Sequence, residues 1–256
     1  MSSLGDRAAA LPRLAPLGPG AVAPGSGQHA TKLSRSIYSG WVAEVLRESI
    51  VDGSLAAGTP LVEMRVAEEL AVSRGPVRSA LHVLEGEGLV RTQPNGRTTV
   101  VGFGADDVQD LLRVRYELEA TGIRWGVAQG ASIAPLEIAF AAVAAEGATT
   151  PRLVELDVAF HRAMLAFSGS RFLMEAWQAI APVIQTVITV GNQRLAAADP
   201  AKHMTRIVAS HRPLLEAIGR GAAEEACALL RDQFGLTGSL FDGGRDHQGR
   251  GAGDEQ

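Results

Sequence analysis

Asp157 and His161 stand four residues apart in Leu156-Asp157-Val158-Ala159-Phe160-His161, and a second histidine, His211, follows further along the chain. On a helix an i,i+4 pair shares one face, with Cβ atoms about 6 Å apart. A carboxylate and an imidazole so placed can converge on one divalent cation, and His211 would add a third ligand if a later helix brings it there. The same spacing is produced more often by a plain hydrogen-bonded helix pair, and a lone His on an Ala/Leu-rich helix is more often a core residue. A metal held by the three could activate water for hydrolysis. No acid, base or nucleophile accompanies them by spacing, and no G-x-S-x-G elbow occurs, so the chain does not read as an enzyme.

A second pair, Arg74 and Arg78, falls one turn apart in Leu61–Val90, LVEMRVAEELAVSRGPVRSALHVLEGEGLV. Two charges at this spacing are commonly a solvated helix face; here the surroundings argue for DNA. Val62, Val66 and Leu70 recur at i+4 with Ala67 beside them, which predicts a short buried helix. Ser73 is a good N-cap, and Pro76 lies in the first turn of a second helix, where a missing N–H is tolerated. Val77, Leu81 and Leu84, with Ala80, form its inner stripe, and Gly86 and Gly88 stop it. The two helices with their tight turn form a helix-turn-helix that presents Arg74 and Arg78 to a major groove.

The flanking elements complete a winged helix over residues 37–103. Trp41, Val42, Val45, Leu46 and Ile50 give a helix from Tyr38 to Val51. Leu89–Thr92 and Arg97–Val101 are β-branched runs around Gln93-Pro94-Asn95-Gly96, and Asn-Gly between such runs predicts a hairpin with Arg97 at its tip. Charge does not carry this reading. The chain is formally −4, and acidic residues outnumber basic ones across the module. A non-specific coater of nucleic acid would be basic; here the arginines act by placement, and useful affinity calls for a dimer on two half-sites.

Residues 104–241 read as an all-α bundle of six or seven helices, rich in Ala and poor in aromatics. Asp106 with Gln109 forms a capping box for a helix to about Gln129. Ser132–Glu146 is a second helix, Thr150-Pro151 and Asp199-Pro200 open two more, Arg171 to about Ala196 is one with a break near Gly191, and Ala222–Phe234 or beyond closes the set. His203 precedes His211 by two turns and could approach the same region. Residues 1–36 are an Ala/Pro/Gly-rich extension expected to be disordered, with Lys32 and Arg35 near DNA. Residues 242–256 form a polar, Gly-rich tail of the same kind. A single cysteine, Cys227, excludes an intrachain disulfide and fits a reducing cytoplasm. No apolar run approaches the ~18 residues of a membrane helix.

Gly53, Gly58, Leu61, Glu63, Ala67, Leu70, Val72-Ser73-Arg74, Pro76-Val77-Arg78, Ala80-Leu81, Leu84 and Glu87-Gly88-Leu89-Val90 resemble the signature of GntR-type transcriptional regulators. The resemblance implies that Arg74 and Arg78 read bases or adjacent phosphates, that Ser73 contacts the backbone, and that Gly96 and Arg97 form the wing tip. Met64 stands where relatives often carry a basic residue, which leaves that contact absent or moved to Arg65. Further on, Arg115-Tyr116-Glu117-Leu118-Glu119, Leu156-Asp157 with Phe160-His161, and His211-Arg212 with Leu214-Leu215 and Ala217-Ile218 look like the helical effector domain (FCD type) of the FadR branch. That likeness implies a domain binding a small carboxylate, often through a metal held by one Asp and three His. Asp157, His161 and His211 would be three ligands of a divalent ion (Zn, Ni or Mn), with Gln233 at the fourth place. A neutral amide is a poor metal ligand, and Pro213 could displace His211 by bending its helix, so metal occupancy stays open. Arg115, with Gln233, would face the effector; Arg115 could equally pair with Glu119 on its own helix. The implied protein is a homodimeric repressor of an inverted-repeat operator, with a metal-free organic effector as the alternative.

Overall fold

The computed structural model describes residues 32–145, 150–198, 200–239 and 241, and the chain divides into two units, Met1–Phe103 and Gly104–Gln256. In the first, α1 spans Lys32–Val51, α2 Glu63–Glu69 and α3 Arg74–Gly86, and the strands β1 (Val90–Thr92) and β2 (Thr98–Val100) follow. Helix α1 starts before the expected Tyr38 and takes in residues 32–36 of the expected extension. It packs on α3, and Val42, Leu46 and Ile50 of α1 and Val77, Leu81 and Leu84 of α3 are all buried. Arg47 reaches across to Glu87 with both fork nitrogens, at 2.8 and 2.7 Å, and the pair is buried.

The stripe expected for α2 is corrected at its start. Val62 is the residue before the helix and is exposed; Leu61, Val66 and Ala67 face inward instead. The turn into α3 passes through Ala71 at φ 52, the left-handed region. Ser73 occupies the N-cap position with extended backbone, but its hydroxyl makes no capping bond. Gly86 lies inside α3, and Gly88 at φ +78 turns the chain out of it.

The hairpin pairs Val90 with Val100, Arg91 with Thr99 and Thr92 with Thr98. Its loop closes through Gln93 N–H to Arg97 O (2.9 Å) and Gly96 N–H to Gln93 O (2.8 Å), with Gly96 at φ +80. That positive φ is what the Asn-Gly signal asks for. Pro60 bridges to Thr99, so the free edge of β2 is partly covered from the same unit.

The second unit holds α4 (Ala105–Ala128), α5 (Ala134–Ala144), α6 (Thr150–Phe167), α7 (Arg171–Ala198), α8 (Pro200–Gly219) and α9 (Ala223–Ser239). The fold is thus mainly α, a winged helix-turn-helix followed by six bundle helices among the described residues. Helix α4 is central and packs on α6, α7 and α9. It is capped by Asp107, whose carboxylate accepts the Gly104 N–H at 2.7 Å, not by an Asp106–Gln109 box. Helix α7 runs through Gly191 without the expected break and carries Pro182 inside it. Its segment Arg171–Gln193 is long and apolar enough to cross a membrane by composition, contrary to the expectation from run length. It packs on α4, α6 and α8, with Trp177, Ile184 and Val187 buried. Helix α8 continues through Pro213, which does not displace His211.

Glycines set how closely α4 and α6 approach. A Cβ on Gly122 would lie 2.5 Å from the Met164 carbonyl oxygen, and one on Gly126 would run into the Phe167 ring. The remainder of the 1–36 extension, the 242–256 tail and Glu146 lie outside the described residues, as do the side chains of Lys32, Arg35 and His203.

Candidate metal and effector centre, and the DNA-facing arginines

Asp157 and His161 project from α6 and His211 from α8, and all three are buried. One ligand atom from each lies within 4.8 Å of the others. His211 Nε2 is 3.0 Å from Asp157 Oδ1 and 3.2 Å from His161 Nε2, and His161 Nε2 is 3.9 Å from the same Oδ1. The helix-pair alternative therefore does not describe them: the i,i+4 pair is opened toward a residue from another helix.

The far side of each ring decides what these contacts are. His161 Nδ1 lies 2.6 Å from Glu119 Oε2, on α4. His211 Nδ1 lies 2.7 Å from the Ile207 carbonyl oxygen. An ionised carboxylate and a carbonyl only accept, so each Nδ1 carries the hydrogen and each Nε2 of a neutral ring presents a lone pair. While both rings are neutral, two imidazole lone pairs and a carboxylate oxygen face one another, and the 3.0 Å contact of His211 with Asp157 is a hydrogen bond only when a further proton sits on His211 Nε2. A proton or a metal ion must sit among them. A carboxylate or carbonyl behind each histidine is also the arrangement that orients metal-ligating imidazoles. The donor set suits a divalent ion.

Electrostatics work the same way. Burial, followed by the charge of Arg115, pushes the His161 pKa down and keeps the ring neutral, against the pull of Glu119. Burial opposes the charge on Asp157, but the bond to His211 and the neighbouring His161 and Arg115 hold its carboxyl below the usual carboxylate range. Glu119 is likewise held ionised against burial by His161 and Arg115.

Arg115 is 2% exposed and donates from Nε to Glu119 Oε1 at 2.7 Å. Its guanidinium carbon stands 4.3 Å from the Phe234 ring centroid and 5.8 Å from that of Trp177. Nη2 is buried with no partner among the described residues. Pairing with Glu119 thus engages Nε and leaves a cationic N–H on Nη2 unsatisfied among the described residues, a costly state that an anion would relieve. Gln233, on α9, donates from Nε2 to Ser210 Oγ at 2.9 Å, and that nitrogen is 3.2 Å from His211 Nδ1. It stands behind the ring, at the atom facing away from Asp157, while its buried Oε1 has no partner among the described residues. Glu119 was missed as a member of the centre. Its spacing from Arg115 signals one bond, and nothing in the sequence announces the second, to α6.

In the first unit Ser73, Arg74, Arg78, Gly96 and Arg97 are exposed, Met64 is exposed, and Arg65 is half-buried. Arg74 and Arg78 both reach Glu63 at the start of α2.

A winged helix-turn-helix ahead of a helical bundle is the architecture of a DNA-binding transcriptional regulator. Residues 39–100 match the bacterial regulatory proteins of the gntR family, and residues 110–235 match the FCD domain. The chain belongs to the GntR family of transcriptional regulators and carries an FCD domain. It is 28% identical over 192 residues, 73% of this chain and 77% of the other, to the gluconate operon transcriptional repressor of Bacillus subtilis (strain 168). It is 26% identical over 204 residues, 76% of this chain and 84% of the other, to the "Probable D-xylose utilization operon transcriptional repressor" of Paenarthrobacter nicotinovorans. Among solved structures it superposes on McbR/YncC of E. coli with a TM-score of 0.57 at 20% identity, covering 80% of this chain and 97% of the other. Families and relatives are transcriptional regulators, not enzymes.

Proposed function

We propose that this regulator is a repressor that binds an inverted-repeat operator as a homodimer in the cytoplasm and releases it when a small carboxylate enters the helical unit. The observation that carries the sensing half is the buried centre: ligand atoms of Asp157, His161 and His211 within 4.8 Å of one another, joined through Glu119 to a guanidinium with an N–H unpartnered among the described residues. Asp157, His161 and His211 would hold a divalent ion (Zn, Ni or Mn), which when bound supplies a positive centre for a carboxylate oxygen. Arg115 Nη2 pairs with the same anion, and Phe160, Phe234 and Trp177 keep water out of the contact. Gln233 replaces an imidazole by a neutral amide, so the ligand set is short by one and a coordination position is open to water or effector. One relative represses a gluconate operon, and gluconate is a hydroxycarboxylate of the required kind.

On the DNA side, Arg74 and Arg78 enter the major groove at the start of α3, Ser73 and Arg65 bond the backbone, and Gly96-Arg97 reach phosphate or the minor groove. The effector changes operator affinity by favouring one arrangement of the two DNA heads. The test combines metal analysis of the purified chain with melting curves in gluconate and lactate, and binding to a duplex selected from a random pool. Carboxylates should raise the melting temperature and weaken duplex binding, and His161→Ala should lose both responses while binding the duplex normally without effector. Full derepression in His161→Ala would refute the metal-centred reading.

A further inference from the structure

Glu63 stands at the first position of α2, across the turn from both arginines of α3, and one carboxylate serves the two. Oε1 accepts Arg78 Nε at 2.8 Å; Oε2 accepts Arg78 Nη2 at 2.9 Å and Arg74 Nη2 at 3.3 Å. The arginine side chains are 63% and 69% exposed, and Glu63 is 26% exposed. An exposed ion pair adds little to stability, and holding two long side chains in one geometry is entropically unfavourable. The arrangement therefore needs another explanation than stability.

Guanidinium geometry supplies it. The group offers five N–H donors in a rigid fork with two usable edges. Glu63 occupies the Nε/Nη2 edge of Arg78 and leaves the Nη1/Nη2 end free. That end is the edge that bonds guanine O6 and N7 in parallel. The carboxylate also offsets one of two positive charges, which weakens attraction to phosphates of any sequence. Both effects push the same way, toward a higher ratio of specific to non-specific binding.

We propose that Glu63 is a specificity-determining residue of the DNA interface, acting by positioning Arg78 and Arg74 and by discouraging generic phosphate contact. The inference rests on the reading that these arginines face DNA. The wild-type full-length chain is used to select a consensus from a random-duplex pool. Affinities for that consensus and for a scrambled duplex of equal length are then measured for wild type, Glu63→Gln and Glu63→Asp. Glu63→Gln should bind the scrambled duplex more tightly and lower the consensus-to-scrambled ratio about tenfold. Glu63→Asp keeps the charge but shortens the arm, so it should lower the ratio with scrambled affinity unchanged. A ratio equal to wild type in both variants overturns the proposal, as does a Glu63→Gln gain of equal size on both duplexes, the mark of a simple counter-charge. A wild-type chain that selects no consensus overturns the reading of Arg74 and Arg78, and this inference with it; Arg78→Ala losing the consensus while both Glu63 variants retain it overturns this inference alone.

Discussion

A neutral imidazole has one proton to place, and in this protein its placement is decided from behind. Glu119 fixes the hydrogen of His161 on Nδ1, and the Ile207 carbonyl does so for His211. Glu119→Gln removes the charge and offers a donor in half of its amide orientations, so Zn²⁺ affinity measured by chelator competition should fall ten- to a hundredfold. Unchanged affinity would mean that Glu119 only anchors Arg115. Asp157, His161 and His211 were legible in the sequence because i,i+4 spacing puts two of them on one face; Glu119 was not, because one carboxylate serving two helices leaves no local pattern. Gln233 was legible as a departure, but its turn toward Ser210 follows from α8–α9 packing that spacing does not encode. In the DNA unit, Arg74→Ala and Arg78→Ala should each weaken operator binding by ~1–3 kcal/mol, read by titration of a labelled duplex. Unchanged affinity in both would remove the groove assignment.

At the scale of elements, the bond between Glu119 and His161 depends on how near α4 lies to α6. Gly122 follows Glu119 by one turn, and Met164 follows His161 likewise. The absent Cβ at Gly122 lets the Met164 carbonyl come within what would be 2.5 Å. Gly122→Ala must push the helices apart at backbone, not at a flexible side-chain end. It should destabilise the chain by ~1–3 kcal/mol in thermal melts and weaken metal binding as well. A wild-type melting curve would show that the contact relaxes freely. In the winged unit, breaking the buried Arg47–Glu87 fork with Glu87→Ala should cost about 3–5 kcal/mol by denaturant titration, because it strands a buried guanidinium. Element types were readable wherever a period or a Pro-capped start existed, as in α3, α6 and α8. Ends were less so. Val62 fits the apolar period but precedes the first helical turn, and Gly191 lies among buried neighbours that hold α7 together despite its weak propensity.

For the whole molecule, the two units follow from a change of pattern: a hairpin with its Asn-Gly turn gives way at Gly104 to uninterrupted helical periods. Only residues 101–104 separate β2 from α4, and α4 itself bears Arg115 and Glu119. The element that holds the proposed anion site is therefore the first one beyond the wing. A chelator should accordingly abolish the carboxylate effect on duplex binding while leaving the effector-free affinity intact; persistence of the effect after metal removal would leave Arg115 as the sole anion contact. Dimer half-site spacing, by contrast, has no signature in a single chain, since it is set between copies.

The aromatic setting of Arg115 has an optical consequence. Trp177 is 1% exposed, with its ring centroid 5.8 Å from the guanidinium, whereas Trp125 is 48% exposed. Indole emission responds to nearby charge, so an anion arriving at Nη2 alters the field across Trp177 alone among these two. With Trp41→Phe and Trp125→Phe to quiet the other two indoles, the protein carries one intrinsic fluorophore beside its proposed sensor, and a carboxylate titration becomes visible without dye, label or DNA.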